Sequence, residues 1–141
     1  MEDQFCNCLY FSANHLARMM NKMAEEEFAP IGLSPTYAFL LMTLKDKDGL
    51  TQKELSGALN IAPSTSTRFV DKLEMKGLVT RKNKGKLAII ALTDKGYSMQ
   101  DDISQCWKNL FKRYAEIMGE EQARKLTRDV NEANSILENK K

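Results

Sequence analysis

The feature that most restricts the fold of this chain is a succession of helix signals between residues 51 and 77. Thr51 with Glu54 three residues later is the capping-box pattern that begins a helix, and a turn over residues 60–63 follows it. A second helix is predicted over residues 64–76, and Gly77 occupies the position of a helix C-cap. A short helix, a tight turn and a second helix with a hydroxyl-rich start form the helix-turn-helix layout, whose second helix enters the major groove of DNA.

Two apolar segments after Gly77 predict a β-hairpin. Residues 78–81 and 87–92 flank the sequence Lys82-Asn83-Lys84-Gly85-Lys86, so the hairpin has a basic tip. A hairpin in this place makes the helix-turn-helix winged. We therefore expect a winged helix-turn-helix DNA-binding lobe over residues 34–96.

The rest of the chain is predicted to be helical. Apolar residues recur at three- and four-residue spacing over about 4–27. A nearly unbroken apolar run over 37–44 follows the helix-start pair Ser34-Pro35 and indicates a buried helix. A threonine-capped helix is expected over 93–118 and a last helix over about 120–137. The predicted fold class is therefore mainly α with a small β-hairpin wing, in a single domain.

The two terminal regions, residues 1–30 and 97–141, carry more apolar surface than one compact winged domain can cover. A second copy of the chain would cover it, so we expect long N- and C-terminal dimerisation helices in a homodimer. Two DNA-reading helices about one turn of DNA apart would match a pseudo-palindromic operator. The apolar residues of the C-terminal region are Trp107, Phe111, Tyr114, Leu126, Val130 and Ile136.

Positive charge is concentrated in one segment of the chain. The whole sequence has 21 Lys and Arg against 19 Asp and Glu, a formal charge of +2. Residues 68–86 contain seven of those basic residues and only two acidic ones, Asp71 and Glu74, a local charge of +5 that leaves −3 for everything else. A basic patch on one part of a fold is the electrostatic footprint of nucleic-acid binding.

The residues expected to contact double-stranded DNA lie in the second helix and in the hairpin. Short hydroxyls can reach bases or phosphates, arginine can pair bidentately with guanine, and lysine can hold a phosphate. The N-terminus of the helix adds N–H groups and the positive end of its dipole. The predicted DNA contacts are Ser64, Thr65, Thr67, Arg68, Lys72, Arg81, Lys82, Lys84 and Lys86.

Three stretches of sequence resemble the MarR family of winged helix-turn-helix transcriptional regulators. They are Leu-Thr-Gln-Lys-Glu-Leu at 50–55, Leu-Glu-Met-Lys-Gly-Leu-Val-Thr-Arg at 73–81 and Leu-Thr-Asp-Lys-Gly at 92–96. The resemblance covers essentially the whole chain. It implies a homodimer with interlocking first and last helices, and repression that is usually relieved by a small ligand or by oxidation. It places base contacts on Ser64, Thr65, Thr67 and Arg68, and wing contacts on Lys84 and Lys86.

The wing departs from the family pattern. Members of the family typically carry Asp-x-Arg there, with the arginine in the minor groove, whereas this chain has Asn83-Lys84-Gly85-Lys86 in a shorter loop. Lysine lacks the planar fork of arginine. We therefore expect attraction to phosphates rather than minor-groove readout from this wing.

Cys6 is the candidate for a redox sensor. The sequence Gln4-Phe5-Cys6 resembles the start of the organic-hydroperoxide-sensing branch of the family, and a thiol near a helix N-terminus is biased toward the reactive thiolate. The positions that match that branch's partner tyrosines are held by methionine and alanine, so the sensing pocket is not reproduced. A cysteine that is simply a small buried apolar residue is the alternative interpretation.

Two other sensing mechanisms are open. A small apolar or aromatic effector would fit an adaptable pocket between the dimer helices and the lobe, with ordinary core packing as the alternative. The candidate pocket residues are Met19, Met20, Met23, Tyr37, Phe39 and Met42. A metal site from Cys6, Cys8, His15 and Cys106 is disfavoured because Cys-x-Cys with a single histidine is not a closed zinc pattern, and no cofactor is expected.

Other function classes are less consistent with the sequence. It contains no glycine-rich phosphate loop, no His-Glu-x-x-His and no nucleophile elbow, so an enzyme is not expected. No apolar stretch is long enough for a membrane span, and three cysteines do not suggest a disulfide framework, which together favour a cytoplasmic protein. The alternative function is a winged-helix protein-interaction module that binds an acidic protein without sequence-specific DNA binding.

Overall fold

The structure, a computed structural model, describes Phe5 and residues 7–139. The chain divides into two compact units, Met1–Cys106 and Trp107–Lys141. In chain order the elements are α1 (Leu9–Phe28), a 3-10 turn (Ala29–Ile31), α2 (Pro35–Leu44), β1 (Leu50–Thr51), α3 (Gln52–Leu59), α4 (Pro63–Met75), β2 (Val79–Lys84), β3 (Leu87–Leu92), α5 (Asp94–Ser98), α6 (Gln100–Met118) and α7 (Glu120–Asn139). Among the helices of the described residues, none is long and apolar enough to cross a membrane.

The predicted class, mainly helical with a small hairpin, is confirmed, but the sheet has a third strand. The strand order is β1-β3-β2, and both pairings are antiparallel. In β1, Leu50 pairs with Ile90 and Thr51 with Ile89. The sequence did not reveal β1 because two residues are too few to show an alternating pattern.

The first long helix begins later than expected. Cys8 has extended backbone angles (φ −103°, ψ 116°), and α1 begins at Leu9 rather than near residue 4. Phe5, which precedes this break, lies with its ring 5.1 Å from the ring of Phe11, centroid to centroid. Phe5 fits the apolar spacing of the helix but lies outside α1 and contacts it through this ring pair.

The α2 helix begins as predicted but is buried on one side only. The Ser34 hydroxyl accepts a hydrogen bond from the backbone N–H of Tyr37, and proline occupies the first turn. The side chains that enter the core of the first unit are Ala38, Leu40, Leu41 and Leu44. Phe39 and Met42 are exposed, so the expectation of a fully buried helix is wrong. A continuous apolar run cannot by itself distinguish these two arrangements.

The helix predicted from residue 93 to 118 is broken at Met99. Thr93 caps the short α5 through a bond from the backbone N–H of Gly96, and α6 begins at Gln100. The buried Gln100 side chain donates from Nε2 to the carbonyl oxygens of Leu41 and Gly96, at 3.1 and 3.3 Å. These bonds fix the chain at the break and join the start of α6 to the end of α2.

The second unit contains most of α6 together with α7. Gly119, with a positive φ of 95°, makes the turn between the two helices. The Arg124 guanidinium lies over the ring of Phe111, 4.7 Å from its centroid. Ala115 and Ala123 are buried, and the predicted last helix is confirmed with its end at Asn139.

Candidate DNA-binding surface

The capping box that begins α3 is confirmed. The backbone N–H of Glu54 donates to the Thr51 hydroxyl at 3.0 Å, and the backbone N–H of Thr51 donates to the Glu54 carboxylate at 2.9 Å. Hydrogen bonds from the Thr51 backbone and hydroxyl lower the pKa of the Glu54 carboxyl because they favour its charged form. The helix ends at Asn60, which adopts the left-handed conformation with φ 56°.

One face of α4 is buried, and this fixes which residues face outward. Ser66, Val70 and Leu73 are fully buried, and the Ser66 hydroxyl accepts a hydrogen bond of 3.1 Å from the Gln52 amide of α3. The exposed face of α4 carries, as predicted, Ser64, Thr67, Arg68, Asp71 and Lys72. Thr65 is half-buried at the edge of this face.

The N-terminus of α4 retains backbone donors that no side chain caps. Ala62 occupies the N-cap position and offers no hydrogen-bonding side chain, while Pro63 is the first residue. The N–H groups of the first turn are therefore positioned to receive an anion such as a phosphate. Thr67 donates its hydroxyl to the Pro63 carbonyl at 3.0 Å and keeps its oxygen lone pairs available.

The C-terminus of α4 is held by residues of the next helix. Gly77 has φ 76°, and Leu78 donates its N–H to the Leu73 carbonyl, the six-to-one bond of a Schellman motif. The Thr93 hydroxyl then donates to the Gly77 carbonyl at 2.6 Å, and the Lys95 ammonium donates to the Lys76 carbonyl at 3.1 Å. The Leu-Thr-Asp-Lys-Gly stretch thus caps the end of the exposed helix. The sequence predicted that Thr93 caps the helix that follows, but not that this stretch also caps the end of α4.

The hairpin has a tighter tip than predicted. Lys82 pairs with Ile89 and Lys84 with Leu87, so most of the expected loop over 82–86 is strand. The turn consists of Gly85 and Lys86 alone, and Gly85 has the positive φ of 61° that suits the first position of a two-residue turn. The three lysines at 82, 84 and 86 are exposed, as expected.

Arg81 differs from the other predicted DNA contacts. Its guanidinium lies 2.7 Å from the Asp71 carboxylate and 3.6 Å from the Glu74 carboxylate, both on α4. Only 26% of the Arg81 side chain is exposed. Arg81, predicted as a DNA contact, therefore links the hairpin to α4.

The remaining cations of the surface have no internal partner. Within the described part of the chain, no ion pair or hydrogen bond engages the side chains of Arg68, Lys72, Lys82, Lys84 and Lys86. The outward face of α4, which starts at the open helix N-terminus, and the tip of the hairpin therefore both present unneutralised positive charge, which binds polyanions.

The structure describes only some of the candidate sensor residues. Cys6 lies outside the described residues, while Cys8 is exposed and Cys106 is buried. Burial, followed by the charges of Asp102 and Glu27, raises the pKa of the Cys106 thiol and favours its unreactive neutral form. Among the described residues, no group of three or more His, Cys, Asp and Glu is arranged to hold a metal ion.

The candidate pocket residues occupy different environments. Met19 borders a groove of about 280 Å³ on α1 together with Phe11, Ser12, His15 and Leu16. Met20 and Met23 are half-buried on the same helix. Tyr37 packs edge-on against Phe69 of α4, with ring centroids 4.9 Å apart. Phe39 and Met42, as noted, are exposed on α2.

Comparison with known proteins identifies relatives with this architecture. The MarR family model matches residues 33–85, the segment that contains all of the candidate surface except Lys86. The chain is 26% identical over 123 residues to the HTH-type transcriptional repressor MdtR of Bacillus subtilis (strain 168), covering 85% of this chain and 79% of that protein.

Solved structures agree along nearly the full chain. A MarR transcriptional regulator from Methanosarcina mazei Go1 is 26% identical with a TM-score of 0.70, covering 91% of this chain and 86% of that one. The transcriptional repressor CouR bound to a 23-mer DNA duplex has the same fold, with a TM-score of 0.87 at 20% identity over 95% of this chain and 97% of that one. Residues 33–85 thus match the MarR family model, and the fold of the chain is that of solved winged-helix transcriptional regulators of the MarR type.

Proposed function

We propose that this regulator is a repressor that binds a pseudo-palindromic DNA operator as a homodimer. The observation that carries the proposal is the outward face of α4, where Arg68 and Lys72 have no partner among the described residues and the helix N-terminus has no side-chain cap. A buried opposite face holds this helix in the lobe, so its exposed side chains are available to the major groove.

The exposed residues divide into two roles. Arg68 carries the planar fork that matches guanine, and Ser64, Thr65 and Thr67 are short enough to approach bases or phosphates. The four lysines of the surface attract phosphates and fix the position of the lobe without reading sequence. Those lysines are Lys72, Lys82, Lys84 and Lys86.

Exposed apolar side chains support the homodimer. In the first unit, Leu9 is 74% and Tyr10 is 80% exposed, next to the exposed Phe11. In the second unit, Val130, Ile136 and Leu137 are exposed. Apolar surface of this extent on a single chain marks an interface. We assign residues 1–30 and 97–141 to dimerisation and residues 34–96 to DNA binding.

An effector is proposed to release the DNA. The groove beside Phe11, His15 and Met19 is lined by apolar and aromatic groups that suit a small apolar or aromatic molecule. Oxidation of Cys6 is the second route. A protein that acts on chromosomal operators works in the compartment that holds the DNA, which we propose is the cytoplasm.

Selection of bound sequences from a random DNA pool tests this function. The reduced protein should enrich an inverted repeat with half-sites about 10 bp apart, as two recognition helices require. Repeating the binding with peroxide tests the sensor: loss of binding supports Cys6, and unchanged binding supports a non-oxidative effector. If no sequence is enriched, sequence-specific repression is wrong and the protein-interaction alternative is favoured.

A further inference from the structure

The ion pairs of Arg81 involve both acidic residues of the basic segment. Residues 68–86 contain two carboxylates, Asp71 and Glu74, and a single guanidinium contacts both of them. Asp71 lies on the exposed face of α4 next to Lys72, and its side chain is 52% exposed. An unpaired carboxylate at this place would repel DNA phosphates.

The register of the hairpin directs Arg81 away from the lysines. Residues directly opposite each other in an antiparallel pair share a face of the sheet. Arg81 pairs with the buried Ile90, whereas Lys82 pairs with Ile89 and therefore lies on the other face. Arg81 therefore faces α4, whereas Lys82 lies on the opposite face of the hairpin and is available to contact DNA.

We propose that Arg81 is a positioning residue that masks Asp71 and Glu74 from the DNA backbone, so that DNA affinity depends on Arg81 although its side chain does not contact DNA. This inference rests on the proposed DNA binding. The proposal distinguishes the basic residues that contact DNA from Arg81, which neutralises carboxylates inside the protein. A count of charges in the sequence does not make this distinction.

Variants that remove the charges of Asp71, Glu74 and Arg81 distinguish an Arg81 that masks carboxylates from an Arg81 that contacts DNA directly. The test compares the unmodified protein with Arg81→Gln and with the triple variant Asp71→Asn/Glu74→Gln/Arg81→Gln, using the selected operator and a shuffled duplex at several salt concentrations. Arg81→Gln should weaken binding to both duplexes by about tenfold because it exposes two carboxylates to the phosphates. The affinity of the triple variant for DNA should be within about threefold of that of the unmodified protein, because it has no carboxylate at positions 71 and 74 that Arg81 would have to mask.

The salt dependence supplies a readout that a purely structural role would not move. A lost phosphate contact lowers the slope of log affinity against log salt by about 0.9. The triple variant should keep the slope of the unmodified protein if Arg81 makes no such contact. Thermal unfolding of each variant identifies any loss of fold, and if Arg81→Gln does not fold, the triple variant, which has no unpaired charge, still decides the question.

Two results would overturn the inference while leaving DNA binding intact. One is Arg81→Gln binding as tightly as the unmodified protein. The other is a triple variant that folds but binds about tenfold more weakly with a reduced salt slope, which would make Arg81 a direct phosphate contact. If the unmodified protein binds neither duplex, the proposed function fails and this inference fails with it.

Discussion

Because Gly96 has no side chain, α5 lies closer to the C-terminal end of α4 than any other residue at position 96 would allow. A Cβ atom at this position would fall far inside contact distance of the Leu78 carbonyl oxygen and 3.0 Å from a methyl carbon of Leu92. The Leu78 carbonyl also accepts the backbone N–H of Thr93, so it cannot move away without loss of that bond. The requirement for glycine here comes from packing, because its φ is not positive.

Replacement of Gly96 by alanine should therefore destabilise the protein. We expect a loss of about 1–3 kcal/mol in the free energy of unfolding, the usual cost of overpacking, measured by chemical or thermal denaturation. Gly57→Ala is the matched control, since it lies within helix α3 with no atom within 4 Å of its Cβ position. That variant should gain about 0.5–1 kcal/mol. Equal effects at both positions would contradict the packing argument.

Arg68 is expected to read bases. Arg68→Ala should cost about 1–3 kcal/mol on the operator and much less on shuffled DNA, because a bidentate contact to guanine discriminates between sequences. Arg68→Lys should preserve binding to shuffled DNA while losing most of the preference, since it keeps the charge and removes the fork. Equilibrium titrations on both duplexes give these values. Unchanged affinities for both duplexes in Arg68→Ala would refute the assignment.

Lys84 is expected to contact only the phosphate backbone. Lys84→Ala should weaken all duplexes to a similar extent and lower the salt slope by about one. Lys125→Ala provides the control, because this exposed lysine belongs to the second unit, where its ammonium lies 2.7 Å from Asp129. The control should leave DNA affinity and slope unchanged. A change of sequence preference in Lys84→Ala would show that the wing reads bases.

Elements whose ends depend on local signals were predicted well, and those defined by distant contacts were not. The helix starts at Ser34, Thr51 and Thr93 follow from hydrogen bonds within three residues, which a sequence displays directly. The break before Gln100 depends on the Leu41 carbonyl, 59 residues away. The same reason explains which parts of the candidate DNA-binding surface were predicted. The spacing of apolar residues in α4 shows which of its faces is exposed, whereas the ion pair of Arg81 with α4 forms only after the hairpin has folded against that helix.

The capping box of α3 gives this element a dependence on pH. The Thr51 hydrogen bonds lower the pKa of Glu54 in the folded state, so their stabilisation is present above the unfolded pKa and is lost as the pH falls through the folded pKa. We expect the unmodified protein to unfold at a higher temperature than Glu54→Ala near pH 7. The difference should shrink as the pH falls below the ordinary pKa of a glutamate carboxyl, because the lowered folded-state pKa is then approached. A difference that is constant with pH would contradict a role for the charged carboxylate.

We expect the protein to act as a homodimer, with the exposed apolar residues of α1 forming part of the interface. Tyr10→Asp should shift the protein from dimer to monomer in light scattering and weaken operator binding, because a charge is costly to bury in an interface. Met75→Asp is the control, since Met75 is 88% exposed on α4 and lies outside the proposed dimerisation regions. It should remain dimeric. Dissociation of both variants, or of neither, would contradict the assigned interface.

The position of β2 at the edge of the sheet has a consequence for the protein that is not bound to DNA. In the order β1-β3-β2, one side of β2 has no neighbouring strand in the described sheet, and such an edge can recruit another chain and start aggregation. Lys82 and Lys84 project from this strand, and lysines on an edge strand oppose that pairing by charge repulsion. The side chains proposed to hold phosphates would therefore also keep unbound copies from sticking together through their wings.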